Sequence, residues 1–254
     1  MGAERLLTDA DPSPVERVNS ESSSPVALVC EHAGCAIPAR LGDLGVPAVD
    51  LRRHIAWDVG AARTARALAE RLDAPLLMQR YSRLVIDCNR PPESPLAIPG
   101  TSDGTIVPAN HELTAAERAR RADEIFRPWD EAVAALLDGV SRRFAFAIHS
   151  FTPRLANGVP RPWDIGFLSR RDRRTSATLE QALRAETSRL VIGMNQPYQI
   201  DDASDWFVPR HAEPRGLAHA LIEIRNDHLT DEGGCERWAD RLAAAIRHLL
   251  ERMD

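Results

Sequence analysis

Residues 144–151 read FAFAIHSF. Aromatic and small apolar residues alternate, neither Gly nor Pro interrupts them, and Arg142-Arg143 bounds them upstream. A run this short, apolar and partly aromatic reads as a buried strand rather than a helix. His149 and Ser150 then stand where the strand ends. In open α/β sheets that carboxyl edge is where ligands collect.

Working outward, PVALVC predicts a second buried strand over 26–30 that ends in a Glu-His-Ala-Gly turn. Apolar and Ala positions at helical spacing predict a helix over about 53–72. PLLMQRYSRLVIDCNRPP supplies two further strands, the second ending at Asp87, and the Pro-, Gly- and Asn-rich residues 93–111 form a long functional loop. A helix starts at Thr114, whose Ala-Ala-Glu sequel is a capping box, and Pro128 should kink or break it. Beyond the central strand follow a Pro-rich loop, the strand DIGFL, a helix over 175–189 and a short extended piece over 191–196. An irregular stretch over 197–216, the strand LAHALIEIRND and a closing amphipathic helix over 232–253 complete the chain. This alternation predicts a single three-layer α/β/α domain over 25–254 with a mixed, mostly parallel sheet. Residues 1–24, rich in Ser, Pro and acids, are expected to form a poorly ordered or loosely docked arm.

Composition narrows the function classes. The chain has 254 residues, 44% of them hydrophobic, and a net charge of −5. All 32 basic residues are arginine, interspersed with acids on helical stretches, which argues against a nucleic-acid partner. No apolar run reaches about 18 residues, so no membrane partner is expected. The start has no apolar h-region, and Cys30, Cys35, Cys88 and Cys235 form no CxxC pair or disulfide framework, so a reduced, cytoplasmic chain is the expectation.

Four strand ends carry polar groups that a purely structural reading leaves poorly explained: Glu31-His32, Asp87 to Arg90, His149-Ser150 and Glu223 to Arg225. Two histidines and a carboxylate make the ligand set of a catalytic zinc that keeps one position open for water. A further carboxylate can act as general base, and arginines can hold an anionic substrate. The pieces fit hydrolysis by a metal-activated water.

The segments CEHAG, SRLVIDCNR, AIHSFTP and ALIEIRND, in this order over Val26 to Asp227, resemble the N-formylglutamate amidohydrolase family and, more distantly, the zinc carboxypeptidases. The resemblance implies a zinc hydrolase cleaving the amide of an N-acylated acidic amino acid. N-formyl-L-glutamate would give glutamate and formate, a step associated with histidine degradation. By the same resemblance His32 and His149 match the metal histidines and Glu223 the general base. Asn89 and Arg90 match the pair that grips a substrate carboxylate. Arg83 resembles the arginine of the amidohydrolases' SR motif, on a second carboxylate or on the oxyanion. Arg225 completes the glutamate-arginine block and counts with the substrate-binding residues.

The sequence departs from the carboxypeptidases at one point, for Cys35 stands where they place a glutamate ligand. Asp58, in HIAWDVGA at the start of the expected helix, is the first choice for third ligand. Glu31 is the second choice, placed behind Asp58 because it is adjacent to His32 and neighbours on an extended segment face opposite sides. His54, one helical turn before Asp58, stands to orient the aspartate or replace it. Cys35 stays open as a thiolate ligand. Asp87 reads as a structural partner of Arg83 or Arg90. His211, in VPRHAEPRG, is a candidate for closing over substrate and equally a loop-surface residue. A related amidase with another acyl substrate, or a binding protein that kept the fold, are the competing readings. Oligomeric state is not legible.

Overall fold

The computed structural model describes residues 5–139 and 142–253. FAFAIHSF, residues 144–151, is the central strand of a seven-stranded sheet. The strands are β1 (Val15–Val18), β2 (Val26–Cys30), β3 (Leu76–Gln79), β6 (Phe144–Phe151), β7 (Ile165–Leu168), β8 (Ile192–Met194) and β9 (Ala218–Arg225). A separate hairpin of β4 (Thr101–Ser102) and β5 (Thr105–Ile106) stands apart. The sheet order is β1-β3-β2-β6-β9-β7-β8. Strands β3, β2, β6 and β9 run parallel, β1 and β7 pair antiparallel with β3 and β9, and β8 is parallel to β7. The sheet is therefore mixed and mostly parallel.

The alternation in FAFAIHSF has a direct physical counterpart. Phe144, Phe146 and Ile148 enter one core with helices α1 (Ala61–Leu72), α4 (Arg173–Glu186) and α5 (Glu232–Met253). Ala145 and Ala147 face the other, against Trp129 and Val133 of α3 (Arg127–Asp138). Side chains alternate across a strand with period 2. His149 therefore follows the alanines onto the α3 side, at the carboxyl end.

The Thr114 capping box forms, with the Thr114 side chain on the Glu117 backbone and Glu117 reaching back, at the head of α2 (Ala115–Arg121). The break expected at Pro128 takes the form of a π-helical turn, Ala122–Phe126, running straight into α3. Proline offers no N–H to the preceding turn, and a wider turn absorbs that loss without ending the helix.

Three expectations are corrected. The arm over 1–24 is docked within its described part. Val15–Val18 is an edge strand, Leu6 is buried, and the Leu6 and Leu7 N–H groups donate to the Glu124 carboxylate at 2.7 and 2.9 Å. Residues 1–4 lie outside the described residues. The apolar run Leu84–Ile86 is buried but is not a strand. Its backbone finds side-chain partners instead of a ladder: Asn110 Nδ2 donates to Leu84 O at 2.8 Å, and Arg121 donates to Val85 O at 3.0 Å. A buried loop is stable only when such partners satisfy it, and Asn110 and Arg121 are themselves buried. Finally, the helix expected over 53–72 begins only at Ala61. Before it, Asp58 N donates to His32 O at 2.9 Å, a tie to another segment that replaces the helical bond. Asp58 and His54 do not share a helix face.

Candidate metal centre and active site

The carboxyl ends of β2, β6 and β9 deliver three of the predicted residues to one place. His32 follows β2, His149 lies near the end of β6, and Glu223 is its register partner on β9. Asp58 reaches the same point from the loop tied to His32. His149 Nδ1 lies 3.1 Å from His32 Nδ1 and 2.9 Å from Asp58 Oδ2, and the third edge, His32 Nδ1 to Asp58 Oδ2, is 3.4 Å. A tetrahedral zinc with bonds of about 2.0–2.1 Å sets its ligand atoms about 3.3 Å apart. The triangle fits an ion of that size. All three side chains are buried.

Carboxylates back both imidazoles. His32 Nε2 bonds Asp87 Oδ1 at 2.7 Å, and His149 Nε2 lies 3.0 Å from Glu31 Oε2, off the hydrogen-bonding line. Asp58 Oδ2 also accepts from Ser150 N at 3.1 Å. Burial opposes charge throughout, yet the partners prevail. His32 and His149 hold the Asp58 carboxyl below the usual carboxylate range, and Asp58 and Glu31 raise His149 well above the ordinary histidine value. The negative potential that favours protons on these rings is the potential that draws a cation to them.

Glu223 differs from the other acids. Burial, reinforced by the charge on Asp58, pushes its carboxyl up to about 7, while its Oε2 has no hydrogen-bond partner among the described residues. It lines a cavity of about 250 Å³ together with His32, Asp58 and His149. Arg83 and Arg90 line the same cavity. Arg83 bonds Asp87 Oδ2 at 2.6 Å and approaches Asp58 Oδ1 at 3.4 Å, and Arg90 Nε lies 3.4 Å from the same Asp87 oxygen. Asp87 thus holds both arginines and His32.

The other predicted residues fare differently. Asn89 lines the cavity, but its Oδ1 accepts from the Trp206 and Phe207 backbone at 3.2 and 2.9 Å, which anchors the following loop. Arg225 is turned away, donating to Pro162 and Trp163 carbonyls and pairing with Asp164 and Asp227. His211 is buried on Asp130 at 2.7 Å and does not line the cavity. His54 faces Asp103 at 3.3 Å, and Cys35 is an exposed free thiol. Arg225, His211 and His54 each pair instead with a carboxylate brought in from another segment, Asp164, Asp130 and Asp103 respectively. Tyr198, Gln199, Ser204 and Asp205 also line the cavity. They come from the irregular 197–216 stretch, which carries no periodic signal to single them out.

Gly166 brings that stretch in. It pairs with Glu223 across β7 and β9, and a Cβ on it would fall 1.8 Å from Gln196 O. Gly166→Ala must push the Gln196 backbone aside and carry Tyr198 and Gln199 with it. The expected result is a fall of up to about 10²-fold in kcat/KM, from misplaced cavity walls, with metal content unchanged. Wild-type kinetics in this variant would mean that the loop does not shape the reaction cavity.

Residues 24–230 match the model of FGase, N-formylglutamate amidohydrolase. No curated protein matches the chain. Among solved structures, a gene product of Agrobacterium tumefaciens is 37% identical with a TM-score of 0.92, over 98% of this chain and 100% of that one. The N-formylglutamate amidohydrolase of Ralstonia eutropha JMP134 is 20% identical with a TM-score of 0.72, over 95% and 98% of the two chains, and shares the fold. Among the described residues no helix is long and apolar enough to cross a membrane. The family match takes in His32, Asp58, Asp87, His149 and Glu223 of the cavity, and the chain accordingly belongs to the N-formylglutamate amidohydrolase family of hydrolases.

Proposed function

We propose that the protein is a metal-dependent amidohydrolase that cleaves the amide of a small N-acylated acidic amino acid, N-formyl-L-glutamate giving glutamate and formate. The observation that carries this reading is the buried triangle of His32, Asp58 and His149 with the Glu223 carboxylate one strand away.

Zinc suits this donor set of two imidazole nitrogens and one carboxylate oxygen. Bound there, it would supply Lewis-acid polarisation of the acyl carbonyl and a water acidified toward neutrality. Glu223 does the proton work. Its carboxylate takes a proton from the attacking water as the C–O bond forms and returns it to the leaving nitrogen as the C–N bond breaks. Arg83 and Arg90 share one Asp87 oxygen and both line the cavity. A substrate carboxylate pairs with these guanidinium groups and orients the amide toward Glu223. Low solvent access at the site strengthens each of these contacts.

The test is formate release by protein stripped of metal and reloaded with zinc, assayed on N-formyl-L-glutamate beside other N-formyl amino acids. Release that depends on zinc, disappears with chelator and is fastest on the acidic substrate is the expected result. A zinc-loaded protein that releases formate from none of them would end this reading.

A further inference from the structure

Strands β2 and β6 run parallel with Val29 beside Ala147. Carried two residues further, that register sets Glu31 beside His149, and the β6–β9 pairing sets His149 beside Glu223. One rung of the sheet therefore reads carboxylate, imidazole, carboxylate. The two acids differ in their surroundings. Glu223 lines the cavity, whereas Glu31 does not and is 2% exposed. Neither Glu31 oxygen has a hydrogen-bond partner among the described residues, and its one ion-pair partner there is His149 Nε2 at 3.0 Å.

A buried carboxylate without donors is costly and persists where a group of opposite character faces it. Here that group is the far nitrogen of a ring whose Nδ1 points at Asp58 and His32. A small turn of either side chain brings the Nε2–H onto Oε2. His32 already has such a partner in Asp87. We infer that Glu31 is a positioning residue for the metal centre: it fixes the proton of His149 on Nε2, keeps the Nδ1 lone pair toward the ion and strengthens that nitrogen as a donor. A carboxylate in this position fixes ring orientation and ligand basicity, and its loss costs 10–100-fold in metal affinity. The role rests on the metal-centre reading above, and it gives Glu31 a part other than that of a ligand.

The experiment measures zinc affinity by chelator competition, and the visible spectrum after cobalt substitution, for wild type, Glu31→Gln and Glu31→Ala. Glu31→Ala is expected to bind zinc 10–100-fold more weakly. Glu31→Gln, which keeps an acceptor but loses the charge, is expected about tenfold weaker, with cobalt bands of wild-type intensity because the ligands are the same. Should the alanine variant fail to fold, the near-isosteric glutamine carries the measurement. Zinc affinity within twofold of wild type in Glu31→Gln would overturn the role. So would a cobalt spectrum of changed coordination, which would make Glu31 a ligand. A wild type that binds no zinc would overturn the metal centre itself and this role with it, an outcome distinct from unchanged variants of a zinc-binding wild type.

Discussion

Glu223→Gln is expected to lower kcat on a confirmed substrate by 10²–10⁴-fold, about 3–5 kcal/mol of barrier, while zinc content stays at the wild-type level. The side chain keeps its shape and its place beside His149 on the β6–β9 rung but can no longer accept a proton. The pH profile gives a second reading of the same group. Its carboxyl is pushed up to about 7 by burial, so the base form is lost as pH falls through that value. Wild-type kcat/KM should then drop about tenfold per unit on the acid side, as for a single essential base. The residual activity of Glu223→Gln should lack that limb. Near-normal turnover would remove Glu223 from the mechanism. Loss of zinc instead would make it a ligand.

Asp58→Ala should do the opposite and empty the metal site. Asp58 Oδ2 closes the triangle with both histidines and is itself held by Ser150 N. Without it, two imidazoles face each other at 3.1 Å with no anion between them. The expected loss in zinc affinity exceeds the 10–100-fold typical of an outer partner, and activity falls with metal content. Elemental analysis of the purified variant, with Asp58→Asn beside it, checks this. Zinc retained at one ion per chain in both variants would transfer the third ligand to another residue. The two variants separate base from ligand: one protein keeps metal without turnover, and the other keeps neither.

Much of this arrangement is legible along the chain because it depends on neighbours a few residues apart. Period-2 alternation identifies β6 and sets the face of His149. Helical spacing marks α5 from Glu232 to Met253, and a four-residue motif marks the start of α2. The order of the four polar segments points to hydrolase chemistry, and their neighbours carry the family resemblance. The same local signals misled where two structures share one pattern. The buried run after Arg83 has the composition of a strand, yet Asn110 and Arg121 supply its hydrogen bonds from 26 and 36 residues away. The stretch before Ala61 has helical spacing, yet its bond goes to His32.

Local pattern along the chain suffices for the class of sheet, for the strand ends that carry chemistry, and for His32, His149 and Glu223 as the residues to follow. Their partners come from the tertiary fold. Asp87 stands behind His32 across 55 residues of chain, and Asp58 meets His149 across 91. The β2–β6 register sets Glu31 behind His149, whereas Arg225 and His211 turn to nearer acids outside the cavity. Local periodicity records which face a side chain takes, because that is set by the backbone's own repeat. Which carboxylate meets which nitrogen is set by strand register and loop closure between distant segments, and no short window of sequence contains both ends of such a contact.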